Sequence, residues 1–324
     1  MPKLPMGQPE SVLETLKYSF LLWVFDERQE TTMATIFAQL VVDGLGMGLV
    51  YALLASGINL IIAISGILFI AYGELYMLGA YILWGLVVLF KVPFFIALCV
   101  ATLVPAILGG IIYRLIFQRI QFMKRQFLNS IVAAIGLMML TEQAALLVFG
   151  TESRGIPSVF TGMLKMGGVS ISIEKAVLVL LAFAVLVSLQ LLLQKTNVGR
   201  AMRAVSFNPD VAALQGVSPK RAYLAAMMIG CALAGFSGGI MAPVFALTPM
   251  MGMITLVVLL VVMLGGIGSM TGAILAGLIL GITLSFGQYF IGSGLAQILF
   301  FVVIGLLLFF KPGGLFGQAE EMAL

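Results

Sequence analysis

Apolar runs of roughly the 20 residues needed to cross a hydrocarbon core recur along this chain, and that alone excludes most folds. Only 9% of its 324 residues are charged and 62% are hydrophobic, with a mean hydropathy of +1.18. Within a bilayer every backbone polar group must be satisfied inside the protein, so runs of this length are read as helices. The expected fold class is all-α: a polytopic integral membrane protein of about eight to ten transmembrane helices, some of them broken.

One stretch cannot enter the membrane. Lys195 to Arg221 (KTNVGRAMRAVSFNPDVAALQGVSPKR) is polar and lies between two apolar runs. Lys195, Arg200, Arg203, Lys220 and Arg221 make it the most basic region of the chain, which places it in the cytoplasm by the positive-inside rule. Arg200 and Arg203, three apart, share a helical face. Further on, Asn208 can cap a helix, Pro209 suits its first position, Asp210 favours its positive end and Gly216 can close the turn. Ser218 and Pro219 repeat that signature and open the next membrane helix. Val211, Ala212, Leu214 and Gln215 give the short helix a small apolar face, and two turns are too few to be stable alone in water. It needs a partner. Two readings stand side by side: a docking surface through which a soluble cytoplasmic motor moves a membrane channel, or a connecting loop whose charges only set topology.

Composition removes other chemistries. A net charge of +4 and a pI near 9.1 sit in a few loops and read as topology, not nucleic-acid binding. Cys99 and Cys231 fall inside apolar runs, as small packing residues do. Histidine is absent, which removes the commonest metal ligand and proton shuttle. No Walker A pattern occurs, so ATP, if it drives this protein, is hydrolysed by another chain. No catalytic, metal or cofactor residue is expected here.

In chain order, residues 1–33 read as an extension. Val12, Leu13, Leu16, Phe20 and Trp23 recur at helical spacing, but the apolar run from Tyr18 to Phe25 is too short to span and suggests an interfacial amphipathic helix. Residues 34–317 form the transmembrane domain, with the cytoplasmic loop 195–221 inside it, and residues 318–324 are a C-terminal tail. Gly44 and Gly48, followed by Ala52 and Ser56, make a small-xxx-small stripe, and Gly235 with Gly239, Gly268 with Gly272 and Gly277 with Gly281 repeat the spacing; all suit close helix packing. Breaks are expected at Ser56-Gly57, Asn59, Ser65-Gly66 and Ala71 to Glu74. Broken helices at membrane depth are tolerated only where protein or a water-filled cavity satisfies the freed groups. Glu74 stands out, because a carboxylate between apolar runs costs several kcal/mol unless paired or hydrated; it has a structural reading and a functional one. Asp43 attracts a weaker form of the same argument, and Glu142 suits a solvated interfacial position. The loop 150–175 reads as external, with a short hairpin. Gly265, Gly266, Gly268 and Ser269 make a turn whose amides face either a ligand or a neighbouring helix.

Four motifs, in order and spacing, resemble the LivH/LivM-type permeases of branched-chain amino acid ABC importers: the segment from Gly44 to Leu60, AYGELYMLGAY from Ala71, GRAMRAVSFNPDVAALQGVS from Gly199 and LGGIGSMTGAILAGLILG from Leu264. The closing KPGGLFG from Lys311 matches as well, so the resemblance covers about residues 36–317. It implies an ABC importer permease fold in a bacterial inner (cytoplasmic) membrane. It also implies a second, similar permease subunit, two cytoplasmic ATPase subunits that carry ATP and Mg, and an external solute-binding protein. The segment Arg200 to Gly216 then resembles the coupling loop that docks on the ATPase. Tyr72 departs from the histidine usual in that family, and Leu68, Phe69 and Ile70 depart from its asparagine-phenylalanine-alanine. A lysine common before the GGIGS turn is also missing from Ile254 to Leu264.

The residues themselves offer pathway candidates: Asn59, Ser65, Tyr72, Glu74 and Tyr76 in the first half, Thr248 and Ser269 in the second. The leading function is translocation of branched-chain or aliphatic amino acids by alternating access. Urea, short amides and small carboxylates are alternatives of the same class, and an ion-coupled secondary transporter or a passive channel is an alternative of another.

Overall fold

The computed structural model describes residues 12–121, 123–157, 162–166, 169–310 and 313–314. Residues 1–11 of the extension, the tail 318–324 and most of the KPGGLFG motif lie outside the described residues. Twelve helices follow one another among them. They are α1 (Val12–Ser65), α2 (Tyr72–Trp84), α3 (Phe94–Ile112), α4 (Gln118–Ile120), α5 (Gln126–Phe149), α6 (Ile173–Lys195), α7 (Asn197–Phe207), α8 (Pro209–Leu214), α9 (Pro219–Met241), α10 (Ile254–Gly265), α11 (Met270–Ile291) and α12 (Ser293–Phe310). A hairpin of β1 (Met163–Met166) and β2 (Val169–Ser172), antiparallel, stands where the short external hairpin was expected.

Seven helical stretches among the described residues are long and apolar enough to cross a membrane. The shorter apolar segment Pro249–Gly265 and the eighteen residues of α12 bring the apolar segments into the range expected from sequence. α1 passes through residue 33 without a break, and its apolar part is Thr35–Ser65. α5 and α6 carry bare leucines and valines outward, among them Val132, Leu147 and Leu180, as helices solvated by lipid do.

The centre is α9, packed against α1, α2 and α3, while α11 runs along α1. Without a hydrophobic force between helices in lipid, such contacts depend on close van der Waals fit and therefore on small residues. The Gly44 and Gly48 stripe of α1 meets the Gly277 and Gly281 stripe of α11: a Cβ on Gly44 would lie 2.8 Å from Cα of Ile282, and one on Gly277 2.5 Å from the backbone nitrogen of Ala52. Gly235 likewise faces Ala101 and Pro105 of α3, and Gly239 faces Leu98. Gly272 faces Gly265. Gly268 differs from the packing role expected for it. It has φ +88 and an added Cβ there would meet open space, so it serves a turn.

Of the expected breaks, the one after Ser65 is present. Gly66 adopts φ +66, and the carbonyl of Ser65 accepts from the side-chain amides of Gln121 (3.3 Å) and Gln126 (2.9 Å). The expected break at Ser56-Gly57 and Asn59 is absent, for α1 continues through it. Small size there serves packing instead, since the Tyr72 hydroxyl and the Gly230 carbonyl fill the space a Cβ on Gly57 would need.

Candidate functional site

The polar loop folds as two helices. Thr196 caps α7 by accepting from the Gly199 amide at 3.1 Å. Asn208 caps α8, its Oδ1 accepting from the amides of Asp210 (3.0 Å) and Val211 (3.1 Å). Gly216 closes the loop at φ +83, with the Val217 amide donating to the Ala212 carbonyl at 3.0 Å. The Arg203 guanidinium donates to the carbonyls of Leu193 and Gln194 at the end of α6, where a cation also meets the negative end of the helix dipole. Arg200 donates to Asn197 within the first turn of α7.

Only one apolar side chain of α8 turns inward. Ala212, 3% exposed, joins Val205 of α7 and Ala222 of α9 in a small cluster. Phe207 is 88% exposed, Leu214 87% and Val211 about half. Burying a side chain of this size stabilises by about 1.5–3 kcal/mol, so this patch leaves several kcal/mol of contact energy unused within the chain. α7 packs on α1, α6 and α9, and α8 packs on α7 and α9. A load applied to the patch therefore acts on the helices that form the core.

The polar residues of the membrane segments occupy different settings. Asn59 donates to the Ser269 carbonyl at 3.0 Å and accepts from the Gly268 amide at 2.8 Å, which holds the turn before α11 against α1. Ser269 caps α11 through the Gly272 amide at 3.1 Å. Ser65 bonds the Ile61 carbonyl at 2.7 Å, and the carbonyl of Thr248 accepts from Met251 at 3.1 Å as a 3₁₀ turn, Pro249–Met253, begins. Beside that turn the Gly73 amide donates to the Thr255 hydroxyl (2.6 Å), which donates to the Gly252 carbonyl (3.0 Å). Glu74, 3% exposed, lies against Gly252. Among the described residues its Oε2 finds no hydrogen-bond partner, and neither does the buried hydroxyl of Tyr72.

Among the described residues, two adjoining cavities lie beside α1. The larger, about 570 Å³, is bounded by α1, α6, α11 and the end of α9 and has Asp43 and Lys175 in its wall. The smaller, about 320 Å³, has Tyr51 and Tyr76 in its wall and shares Met47, Val50, Met241, Phe245 and Gln288 with the first. Of the seven pathway candidates, Tyr76 alone is in either wall. Sequence reasoning missed Met47, Tyr51, Gln288 and Lys175. Asp43, Met47, Val50 and Tyr51 do share a face of α1 at helical spacing, but residues contributed from far along the chain left no local signal. Arg154 was missed too: its guanidinium lies 4.4 Å above the Trp84 ring, and its backbone pairs with Leu247. Among the described residues no group of three or more metal-ligating side chains comes together.

A glycine-seamed helical bundle with apolar outer faces and exposed basic connections between its apolar helices is that of a multi-pass membrane protein. The chain belongs to the family described as branched-chain amino acid transport system / permease component, which matches residues 40–311. It is 29% identical over 299 residues to the high-affinity branched-chain amino acid transport system permease protein BraD of Pseudomonas aeruginosa, covering 88% of this chain and 97% of that one. It is 28% identical over 299 residues to the permease protein LivH of the corresponding Escherichia coli K12 system, covering 88% and 96%. Identity to a probable LivH permease of Methanocaldococcus jannaschii is 30% over 252 residues, covering 74% and 78%. No solved structure matches the chain.

Proposed function

We propose that this chain is the permease subunit of an ATP-driven importer that carries branched-chain and other aliphatic amino acids inward by alternating access across a bacterial inner membrane. Two cytoplasmic ATPase subunits hold ATP and Mg, a second permease subunit completes the membrane core, and an external binding protein delivers the solute. The observation that supports this reading is the exposure of the apolar side chains Phe207, Val211 and Leu214, on a loop whose basic residues favour the cytoplasmic side by the positive-inside rule. The names of its relatives supply the solute class. A patch gripped by an ATPase transmits closure of that partner through α7 to α1 and α9.

The test is Leu214→Asp in the assembled transporter. Loss of an apolar contact worth about 1.5–3 kcal/mol weakens docking roughly tenfold to a hundredfold. Amino-acid uptake is expected to collapse while the subunit still inserts and folds; wild-type uptake refutes the docking role. Uptake that survives depletion of ATP but vanishes with the ion gradient would establish the ion-coupled alternative instead.

A further inference from the structure

We propose that the larger cavity beside α1 holds the transported solute, with the Asp43 carboxylate and the Lys175 ammonium receiving the two charges of a zwitterion whose alkyl side chain lies along Met47, Val50 and Met241. This rests on the reading of the chain as an amino-acid permease and adds a site to it. Four observations carry the inference.

The cavity has the right size and composition. Its volume of about 570 Å³ falls within the 300–1,000 Å³ of ordinary small-molecule sites, which are mostly apolar with a few placed polar groups. Here the polar groups are Ser285, Gln288, Tyr289 and, side by side, an anion and a cation. Lys175 Nζ lies 3.0 Å from Asp43 Oδ1, and Gln39 donates to Oδ2 at 3.1 Å.

The pair is exchangeable. Lys175 is half exposed and Asp43 one-third exposed, and such pairs contribute only about 0–1 kcal/mol. A zwitterion offers both groups new partners at once, so opening the pair costs little and leaves neither charge alone. A neutral amide brings no charge to either group and would leave both without a counter-charge.

Position and continuity complete the case. Lys175 is in the first turn of α6 and Met241 ends α9, so the cavity sits at the end of the bundle away from α7 and α8. That is the face from which an importer receives solute. The walls shared with the smaller cavity extend the track along α1 from Asp43 to Tyr51, eight residues or about 12 Å of helix. Met and aliphatic walls suit an alkyl side chain and adapt to its branching.

Occupancy of the site is the test. In membrane vesicles holding the assembled transporter, Met47→Cys and, separately, Val50→Cys are placed in a Cys99→Ala, Cys231→Ala background and alkylated with a maleimide. L-Leucine at ten times its dissociation constant should slow alkylation about tenfold, whereas isocaproamide, which has the alkyl body but no charge, should not. Adding Asp43→Asn or Lys175→Met should abolish protection, an effect that a merely structural ion pair would not produce. Equal protection by leucine and the amide, no protection by either, or no alkylation at both positions overturns the site. Leucine uptake by the unmutated transporter is read in the same vesicles: uptake without protection rejects the cavity alone, while no uptake rejects the parent reading.

Discussion

Gly277→Ala is the sharpest test of the packing on which the bundle rests. The added Cβ would lie 2.5 Å from the backbone nitrogen of Ala52 and 2.6 Å from its Cα. Non-bonded carbons settle at about 3.5–4.0 Å, so α11 must move about 1 Å from α1, and a gap of that size forfeits a quarter to a half of each contact's attraction. The obstacle is backbone, which cannot rotate aside. Overpacking of this kind costs about 1–3 kcal/mol, and at about 2 °C per kcal/mol for a chain of this length the midpoint of thermal unfolding in detergent should fall by about 2–6 °C. Gly136→Ala on α5 is the control, because among the described residues nothing beyond the adjoining backbone of its own helix lies within 4 Å of the added methyl. A midpoint for Gly277→Ala that matches the control would refute the argument that glycine is there for close approach.

Gly252→Ala should abolish most solute uptake and lower stability, because the methyl would take the place of the Glu74 carboxylate in the seam between α2 and the 3₁₀ turn; uptake assays with a folding control check it. Asn59→Ala removes both hydrogen bonds that hold the Gly268–Ser269 turn, and at about 1 kcal/mol each the loss should be about 2 kcal/mol, read as a lower unfolding midpoint.

Local chemistry was legible and distant geometry was not. The caps at Asn208 and the turn at Gly216 depend on neighbouring residues, so their helices could be placed from sequence alone. The glycine stripes were visible from spacing, yet nothing in a stripe says that Gly48 meets α11 across more than two hundred residues. Gly268 has the same spacing but follows different physics, since its positive φ serves a turn. Asn59 and Ser269 attracted notice as polar groups in apolar runs, and their hydrogen bonds to each other's segments could be seen only once the chain was folded. The cavity walls come from α1, α2, α6, α9 and the segment after it, the 3₁₀ turn, α10 and α11. No single window of sequence contains them.

The central claim is that another protein grips α8 from the cytoplasm, and a cross-link tests it most directly. With Leu214→Cys on this chain and single cysteines placed in turn over the membrane-facing surface of the ATPase subunit, oxidation in intact vesicles should join the two chains, with a yield that changes when ATP binds. Labelling of the Leu214→Cys thiol by an impermeant maleimide added outside right-side-out vesicles, with no cross-link at any position tried on the ATPase subunit, would contradict the account.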